Sequence, residues 1–556
     1  MYVVLVRSPA GIVAHRLDDA GVALSPAEPV AEPALTAWVA RAERERPRWV
    51  WDDTARWYPA LLAAGVRVER CVDLRLSHQI LRGSALTAHS ELANAPLGPW
   101  DGATPLAERP RVADALFDLD GDTGAAAPTD PLAEFRAQRE AAASAVEPGR
   151  IGLLLAAESA GALIACEMKF AGLPVNAEVH ERLLEGLLGE RPRGAERPAK
   201  LEALLDRMRA ILGTHDLNPD SPADLLKALR RAGLQVASTR SWELKEVDHP
   251  VIEPLLEYKK LSRLQTANGW NWLDAWVADG RFRPDYVPGG AATGRWGASG
   301  GGALQLPKQV RGAVVADPGW KLVVADAAQL EPRVLSALSA DRRMAEAGRG
   351  DLYEGIVASG AVKTRAEAKV AMLGAMYGAT AGDGGRLMPA LTRAFPQAIA
   401  MVEDAARAGE RGGIVTTRLG RSSPPPGEVW RELQESAAVP GASEGMQRAA
   451  RSQSRGWGRF TRNFIVQGTA AEWALCWMAG LRGRLWTLGA GQFSARPHLV
   501  FFLHDEVIVH TPAELADSVV DELRAAASEA GRLIFGAIPV AFPITTAIVD
   551  DYGQAK

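Results

Sequence analysis

The sequence predicts an α/β segment of about 150 residues, followed by a longer region that is mostly helical but contains a few buried strands. Two observations support the first part: residues 2–6 and 48–51 favour strands, and residues 54–64 then favour a helix. A third supports the second part: from about residue 151, apolar residues recur at spacings of three and four, as on one face of a helix.

Composition places the chain among globular proteins. It has 556 residues, of which 47% are hydrophobic and 23% charged, which excludes a disordered or fibrous chain. At roughly 150 residues per domain, this length predicts three to four domains. Because the net charge at pH 7 is −4, any cations that bind nucleic acid must be gathered locally.

The sequence favours a reducing cytoplasm over a membrane or an oxidising compartment. The N-terminus lacks the basic residues and the long apolar run of a signal peptide. The most apolar stretch, 151–172, falls short of the about 20 uninterrupted apolar residues of a membrane span, because it contains Glu158, Glu167 and Lys169. The cysteines are odd in number and far apart, which predicts neither a disulfide framework nor a cysteine zinc site. They are Cys71, Cys166 and Cys476.

Helix boundaries are readable in the region after residue 150. Residues 221–232 begin with Ser221 as a predicted N-cap and Pro222 at the first helical position, and the pattern ends at Gly233. Further helices are predicted at 181–188, 198–212 and 249–264, and a glycine-rich loop at 289–302.

A carboxylate follows a buried strand in the middle of the chain. Residues 321–325 form a short apolar run that ends on Asp326, and a periodic helix follows from about Pro332. An Asp at the end of a buried strand can direct its carboxylate into a cleft while the strand stays fixed. The same pattern is also typical of an Asp that merely ends a strand or caps a helix.

A second carboxylate lies at the tip of a predicted β-hairpin. The apolar runs 499–503 and 507–510 flank His504, Asp505 and Glu506. Acidic residues in a turn are common, but two Asp side by side repel each other, and a shared divalent cation relieves that repulsion. Mg²⁺ prefers a few carboxylates and completes its shell with water and phosphate oxygens. The two acidic sites together therefore suggest a magnesium site.

One predicted helix has two cations and an aromatic ring on a single face. Arg365, Lys369, Leu373 and Tyr377 recur every four residues, and Thr364 is a predicted N-cap with an acid three residues on, as in a capping box. Such cations can hold a polyphosphate, and the aromatic end can meet a flat base. A solvated face that ends at the following glycine is the alternative interpretation.

Five arginines form a stripe further along the chain if their segment is helical. Like charges in this arrangement are costly without an anionic partner, which favours a track for a phosphate backbone. Gly456 and Gly458 weaken the prediction of a helix, and Asn463 and Gln467, four residues apart, could reach base edges or sugars or could be plain surface residues. The five arginines are Arg448, Arg451, Arg455, Arg459 and Arg462.

These blocks, in this order, resemble the polymerase domain of the bacterial DNA polymerase I family (family A). DAAQLEPR at 326–333 resembles its motif A, the R-x-x-x-K pattern ending in Y-G at 365–378 resembles motif B, and HDE at 504–506 resembles motif C. RFTRNFIVQGTAAE resembles the segment before motif C, ATGRWGAS the template-primer loop, and LLEYKKLSRL the helix that joins thumb to palm. The similarity runs from about residue 155 to the C-terminus.

The resemblance implies a fold class and a domain order. We expect an α/β, RNase H-like, exonuclease-like N-terminal domain, followed by a mostly α right-hand polymerase with thumb, antiparallel-sheet palm and helical fingers. The expected bounds are 1–150 for the exonuclease-like domain, 151–283 for the thumb and connecting helices, 284–345 for the first part of the palm, 346–460 for the fingers and 461–556 for the second part of the palm.

The resemblance also implies an activity: a DNA-directed DNA polymerase that adds dNTPs to a primer 3′-hydroxyl on template DNA. Asp326, Asp505 and the carbonyl of Ala327 would hold two Mg²⁺ ions, with Mn²⁺ as an alternative, and Lys369 would join the aspartates in catalysis. Glu331 would exclude a 2′-hydroxyl. The nucleotide contacts would be Gln329, Glu331, Arg365, Lys369, Leu373 and Tyr377. The DNA contacts would be Arg295, Arg459, Asn463, Gln467 and His504.

The same resemblance implies a monomer that acts in replication or repair in the bacterial cytoplasm, associated with the nucleoid. Two residues depart from the family pattern. Leu373 replaces the usual aromatic residue and cannot offer a ring edge to the sugar, which puts selectivity against chain-terminating sugars in doubt. Pro332 replaces a Leu after Glu331, in the first helical turn, where a missing N–H costs little.

The N-terminal domain departs further from the pattern. Its first strand reads VVLVRSPAGIV, without the Asp-x-Glu pair of a working 3′–5′ exonuclease, and no Tyr-x-x-x-Asp pair occurs between 120 and 160. Residues 49–66 resemble the second exonuclease segment, with Asp52 and Asp53 in it and Asp73 shortly after. We therefore expect a domain that has lost its nuclease chemistry, unless a displaced acid such as Asp118 or Asp120 substitutes.

Two rival functions remain at this stage. The first is a bifunctional enzyme with working polymerase and 3′–5′ exonuclease sites. The second is a catalytically silent DNA-binding protein built on a polymerase fold, which the presence of both aspartates and of the two cations Arg365 and Lys369 disfavours.

Overall fold

The computed structural model describes residues 1–8, 11–102, 129–194, 196–302, 304–378 and 382–555 of the chain. Its strands are β1 (Tyr2–Ser8), β2 (Gly11–Leu17), β3 (Glu28–Val30), β4 (Arg48–Trp51), β5 (Cys71–Asp73), β6 (Leu173–Pro174), β7 (Val277–Ala278), β8 (Arg281–Phe282), β9 (Asp285–Val287), β10 (Gly297–Gly300), β11 (Trp320–Ala327), β12 (His498–Leu503), β13 (Glu506–Pro512) and β14 (Ile544–Val549).

Its α-helices are α1 (Leu35–Ala42), α2 (Thr54–Ala63), α3 (Leu74–Gly83), α4 (Glu91–Asn94), α5 (Pro131–Ala143), α6 (Pro148–Ala171), α7 (Ala177–Leu188), α8 (Ala199–Leu212), α9 (Pro222–Arg231), α10 (Ser241–Leu244), α11 (Ile252–Asn268), α12 (Trp270–Trp276), α13 (Leu330–Ser339), α14 (Arg342–Ala347), α15 (Leu352–Ala358), α16 (Arg365–Tyr377), α17 (Gly382–Ala394), α18 (Pro396–Glu410), α19 (Glu428–Ala438), α20 (Glu444–Leu488) and α21 (Ala516–Phe535).

The chain forms two compact units. The first comprises Met1–Ala171, Asp285–Ser299 and Val323–Ile548, and the second comprises Gly172–Pro284, Gly300–Leu322 and Val549–Lys556. All the residues for which the sequence predicts a catalytic or binding role belong to the first unit. The five domains predicted from the sequence have other bounds and stay predictions.

The N-terminal part of the first unit is built on a mixed sheet with the strand order β3-β2-β1-β4-β5. Strand β1 is antiparallel to β2 and parallel to β4, which is itself parallel to β5. Successive side chains of a strand point to opposite faces of the sheet. Val3, Leu5, Trp49 and Trp51 are buried on one face, and Val4 is buried on the other. The predicted strands 2–6 and 48–51 and the helix after them are confirmed.

Helix α6 is a core helix of the first unit, packed against α2, α20 and β12. By length and composition alone it could cross a membrane, but 67% of its most apolar window is buried in the protein. A core helix passes the same test, so this is weak evidence for a membrane span. Two acids on it, Glu158 and Glu167, are buried in ion pairs with Arg421 and Arg482.

A four-stranded sheet with the order β12-β13-β11-β14 supports the predicted acidic sites. Strands β12 and β13 form the predicted antiparallel hairpin. The apolar runs that predicted these strands are buried, for example Val323 on β11, Phe501 on β12 and Val509 on β13. Helix α20 packs on β12 and helix α21 packs on β13, and these contacts hold the sheet in place.

Helix α20 is continuous for 45 residues, so Gly456 and Gly458 do not interrupt it. Close packing between α18 and α20 explains why two positions at their contact are glycine. A Cβ on Gly458 would lie 2.9 Å from the carbonyl oxygen of Ala406, and a Cβ on Gly409 would lie 2.1 Å from Oγ1 of Thr461. Glycine at both positions therefore lets the two helices approach closely.

The second unit is mainly helical, with a small sheet of order β6-β8-β7. Helix α9 confirms its predicted boundaries: Oγ of Ser221 accepts from the backbone N–H of Asp224 at 3.3 Å, and Gly233 lies in the left-handed region with φ +87°. Helix α11 begins and ends a few residues later than the predicted 249–264.

The glycine-rich segment 289–302 is a loop only in part. Residues 297–300 pair with β9 as strand β10. The turn leaves no room for a side chain at Gly290, because a Cβ there would lie 2.9 Å from the carbonyl oxygen of Val287.

Candidate active site

The two predicted acidic sites meet in the first unit. Asp326 lies near the end of β11, and Asp505 lies in the turn between β12 and β13. Strands β11 and β13 are neighbours, and the backbone N–H of Ala327 donates to the carbonyl oxygen of Asp505 at 2.9 Å. Two residues nearly 180 positions apart in the chain are thus brought together by one sheet.

The pair has the electrostatic character expected of unneutralised neighbours. Burial, and then the charge of Asp326, raises the pKa of Asp505 from its usual 3.8 to about 7. The cation of Arg295 lowers the same pKa, but only in part. At neutral pH the site therefore favours either a shared proton or a bound cation.

The donor set fits a hard divalent cation. Among the residues that the structure describes, no group of three or more His, Cys, Asp or Glu could hold a metal ion, so a cation at Asp326 and Asp505 would need further oxygen ligands besides these two side chains. Two carboxylates and the Ala327 carbonyl are oxygen donors, and Mg²⁺ commonly takes the rest of its shell from water and substrate phosphates.

The hairpin turn imposes a special backbone conformation on His504, which has φ +61°. Burial, and then the charge of Arg295, lowers the pKa of the His504 side chain, so its imidazole is neutral near pH 7. A neutral imidazole can donate one hydrogen bond and accept another. Its predicted DNA contact stays a prediction.

The predicted stripe on α16 is confirmed as one solvent-facing side of a helix. Arg365 and Lys369 are exposed, as are Leu373 and Tyr377, at 36% and 38%. Thr364 caps the helix, because its Oγ1 accepts from the N–H of Glu367 at 3.1 Å. The carboxylate of Glu367 accepts a hydrogen bond at 2.8 Å from the backbone N–H of Lys363, the residue before the cap, instead of from the N–H of Thr364 itself.

Two predicted nucleotide contacts converge on an acid that sequence reasoning missed. Asp351 accepts from Arg365 at 2.8 Å and from the side-chain amide of Gln329 at 2.7 Å. It also caps α15 by accepting from the N–H of Glu354 at 3.0 Å. An Asp just before an apolar helical run is a sequence signal of an N-cap, but not of its long-range partners.

Three further predicted residues form a hydrogen-bonded group. Arg295 and the hydroxyl of Tyr377 both donate to the carboxylate of Glu331, one to each oxygen. Burial, and then the bond to Glu331, raises the pKa of Tyr377, so the phenol keeps its proton. The orientation of Glu331, the predicted sugar discriminator, is therefore fixed from both sides.

The predicted DNA contacts on α20 lie along one helix, near the end of α16. The stem of Arg459 packs against Gly378, where a Cβ would be 2.9 Å from its Cγ. Asn463 has a buried side-chain oxygen without a hydrogen-bond partner among the described residues. Gln467 follows one turn later and is partly buried.

Arg462 does not belong to the arginine stripe, which corrects the sequence prediction. It is buried, donates to the carbonyl oxygen of Ala375 at 3.0 Å and forms an ion pair with Glu403. Its role is to join α20 to α16 and α18. The other four arginines of the stripe are exposed.

The acids of the N-terminal domain are engaged in structural bonds. Asp53 caps α2 and pairs with Arg75 at 3.0 Å, and Asp52 accepts from Trp57 at 2.5 Å. Asp73 is fully buried and accepts from the N–H of Thr54 at 2.7 Å.

Burial, and then the charge of Asp53, raises the pKa of Asp73 to about 6, and the cation of Arg75 lowers it only in part. The alternative acids Asp118 and Asp120 lie outside the described residues.

Comparison with known proteins covers most of the chain. The family model "DNA polymerase family A" matches residues 193–548. The chain is 27% identical over 409 residues to the thermostable DNA polymerase I of Thermus aquaticus, which covers 65% of this chain and 44% of that protein. It is 26% identical over 341 residues to DNA polymerase I of Chloroflexus aurantiacus, covering 55% of this chain and 33% of that protein. The chain thus spans less than half the length of these relatives.

A solved structure extends the likeness to the whole chain. The POL domain of Pol1 from M. smegmatis, in complex with DNA primer-template and dNTP, superimposes with a TM-score of 0.68 at 18% identity. The match covers 100% of this chain and 95% of that one. The fold is therefore the mostly helical, polymerase-like fold expected from the sequence.

Proposed function

Because this chain belongs to DNA polymerase family A, we propose that it is a template-directed DNA polymerase that adds deoxynucleotides to a primer 3′-hydroxyl. Asp326 and Asp505, joined through the 2.9 Å bond from Ala327 N–H to the Asp505 carbonyl oxygen, carry this proposal above all other features. Two neighbouring acids, with the pKa of one raised to about 7 by burial and by the charge of the other, support a cation site.

We propose that Asp326, Asp505 and the Ala327 carbonyl hold two Mg²⁺ ions, or Mn²⁺ in their place. Bound there, such ions would supply charge neutralisation for the triphosphate and a lower pKa for the attacking hydroxyl. Protein side chains bind and position the nucleotide. Arg365 and Lys369 bind and orient the phosphates, and Tyr377 lies beside the nascent base pair.

Sugar selection is assigned to Glu331. Its carboxylate, held by Arg295 and Tyr377, would meet a 2′-hydroxyl with a charged, already hydrogen-bonded group. Gln329, held by Asp351, and the exposed Leu373 complete the proposed nucleotide contacts. Arg459, Asn463, Gln467 and His504 are the proposed contacts to primer and template.

Primer extension tests the proposed activity. The protein, a labelled primer-template and Mg²⁺ are incubated with dNTPs or with rNTPs in parallel. We expect extension with dNTPs and little with rNTPs. Absence of any extension would favour the silent DNA-binding alternative.

Lys369 offers a sharper test of the cationic face. Replacing Lys369 with Gln is expected to lower kcat/KM for dNTP by about 100-fold, because a charge-assisted contact to the phosphates in the transition state is lost. Single-nucleotide incorporation under saturating primer-template measures the effect.

Lys363→Gln is the matched control, because Lys363 is also exposed and immediately precedes the cap of the same helix. It should retain kcat/KM within about twofold, a difference below about 0.5 kcal/mol. Equal losses in both variants would show that general positive charge, and not Lys369, is responsible.

We propose that the N-terminal domain is exonuclease-like but inactive. The sheet order β3-β2-β1-β4-β5, with β2 antiparallel to its neighbours, supports an RNase H-like class. Loss of chemistry is supported by strand β1, which has no acid, and by Asp52, Asp53 and Asp73, whose oxygens are used for caps and structural bonds.

Incubation with Mg²⁺ and a 3′-mismatched primer, without dNTPs, tests the loss of proofreading. We expect the primer to keep its length, since strand β1 has no acid and the oxygens of Asp52, Asp53 and Asp73 are used for caps and structural bonds. Steady shortening that persists in an Asp326→Ala variant would establish a second, working nuclease site and the bifunctional alternative.

The setting that we propose is a monomer in the bacterial cytoplasm, associated with the nucleoid, acting in replication or repair. The proposed substrates are primer-template DNA and dNTPs. The five domains keep the bounds 1–150, 151–283, 284–345, 346–460 and 461–556 as part of this proposal.

A further inference from the structure

We infer that the N-terminal part of helix α20 extends the DNA-binding surface beyond the active site and binds a phosphodiester backbone through Arg448, Arg451 and Arg455. These three residues are called the arginine track below. The inference rests on the proposed function and adds to it a longer contact with DNA, at residues that the nucleotide-addition site does not use.

Geometry makes the track continuous with the proposed DNA contact Arg459. All four arginines are exposed on one uninterrupted helix. At 100° and 1.5 Å per residue they stay within about a quarter turn, and Arg448 lies about 16 Å along the axis from Arg459. One strand of DNA presents a phosphate about every 3.4 Å of axis, so this length matches roughly five nucleotides.

Electrostatics indicate an anionic ligand. None of the three track arginines forms an ion pair with a residue that the structure describes, so their charges are available to a ligand, in contrast to two other arginines on helices of the first unit. Arg407 pairs with Asp404, and Arg484 pairs with two glutamates. Like charges three and four residues apart on a helix repel by about 0.2–0.5 kcal/mol per pair, which a polyanion along the helix would reverse.

Helix α19 braces the track from the opposite side. Ala450, which lies about half a turn from the arginines, is buried, and its carbonyl oxygen accepts from the side-chain amide of Gln434 at 3.0 Å. Helix α19 itself has no buried residue among those described. The brace therefore covers the back of this segment, while the guanidinium face stays open to solvent.

The chemistry of the track favours nucleic acid over a folded acidic partner. The steps from Arg448 to Arg459 are three, four and four residues, or about 4.5 to 6 Å along the helix. These steps are longer than the rise of about 3.4 Å per phosphate, so the preference for nucleic acid rests on the planar guanidinium group, which binds a phosphate through two parallel hydrogen bonds.

The test compares two double variants with the same charge change. Arg448→Gln/Arg451→Gln removes two track cations, and Arg41→Gln/Arg44→Gln removes two exposed cations, also three residues apart, from the N-terminal domain. Fluorescence anisotropy gives Kd for labelled primer-template between about 50 and 200 mM salt. Circular dichroism checks that each variant is folded.

We expect the track variant to reduce the slope of log K against log salt by about 1.4 to 1.8, at 0.7 to 0.9 per phosphate lost. The control variant should leave the slope unchanged, and Arg448→Lys/Arg451→Lys should restore most of it. A slope equal to that of the native protein in the track variant would overturn the inference.

Two arms of the experiment identify the strand involved. If the reduction of the salt slope in the track variant requires DNA with a long 5′ overhang, the track binds the single-stranded template. If the reduction is equal with a blunt-ended duplex, the track binds duplex DNA. Primer extension by the native protein in the same buffer separates the two levels of inference. Native extension with unchanged slopes refutes only the track, whereas absent extension refutes the proposed polymerase, whatever the slopes.

Discussion

Replacing Asp505 with Asn is expected to lower primer extension by at least about 1,000-fold, while making the metal-free protein more stable. The first effect follows from removing one of two proposed cation-binding carboxylates, which supply several kcal/mol of transition-state charge stabilisation, at about 1.4 kcal/mol per factor of ten. The second follows from the repulsion that Asp326 exerts on Asp505 in the folded protein.

The pH dependence of unfolding shows why the metal-free Asp505→Asn variant should be more stable than the native protein. The pKa of Asp505 is about 7 in the folded protein and 3.8 in the usual case, so the folded state holds this proton more tightly than the unfolded state. The free energy of unfolding of the metal-free protein therefore falls as pH rises from about 4 to 7, and this contribution is absent from Asp505→Asn. Above pH 7 the variant should be more stable by roughly 1–3 kcal/mol, with allowance for partial solvent exposure.

Chemical denaturation in EDTA from pH 5 to 8, repeated with Mg²⁺, measures this difference. Mg²⁺ should stabilise the native protein more than the variant. Asp517→Asn is the matched control: it makes the same substitution at an exposed position in the first turn of α21 and should keep extension. Full extension by Asp505→Asn would show that nucleotidyl transfer does not depend on this carboxylate.

Replacing Arg482 with Met is expected to destabilise the first unit by about 3–5 kcal/mol, because it leaves the buried carboxylate of Glu167 without its main partner. Arg482 donates to Glu167 at 2.7 and 2.8 Å and to the carbonyl oxygens of Val68 and Glu69, both at 2.6 Å. Burial alone would raise the pKa of Glu167, but the adjacent cations of Arg482 and Arg67 lower it, so the carboxylate is ionised.

Arg484 on the same helix supplies the control. It forms ion pairs with Glu522 and Glu529 at 2.8 and 2.9 Å, but is about one third exposed. Arg484→Met should therefore cost less than about 1 kcal/mol. Denaturant unfolding followed by tryptophan fluorescence reports the change, because Trp49 and Trp51 are fully buried in the adjoining sheet.

The double variant Glu167→Gln/Arg482→Met adds an independent check. It should recover part of the stability lost in Arg482→Met, since the buried carboxylate is gone. Recovery should stay incomplete, because buried Arg67, which pairs with Glu167 at 3.5 Å, then lacks its carboxylate partner. Equal stability losses for Arg482→Met and Arg484→Met would contradict the buried-pair explanation.

Local patterns predicted much of the site. The face of α16, the strand that ends near Asp326 and the hairpin that presents Asp505 all follow from periodicity within a dozen residues. What the sequence could not predict depends on partners far along the chain. Arg462 looks like a member of the stripe, but Glu403 on another helix makes it structural.

The same limit applies to Gly458 and Glu331. A glycine weakens a helix prediction unless one knows that a neighbouring helix requires its missing side chain, as α18 does. The carboxylate of Glu331 is fixed by Arg295 and Tyr377, which lie 36 and 46 positions away. Sequence spacing alone does not reveal such a convergence.

The bonds of Arg482 have a practical consequence for dissecting the protein. A fragment that begins after the N-terminal domain would lack the two main-chain oxygens, of Val68 and Glu69, on which that guanidinium depends. Truncation would also uncover apolar side chains of α6 that now face α2. Removal of the N-terminal domain is therefore the wrong way to obtain a minimal stable protein, and point substitutions are the better tool for separating the roles of the two parts.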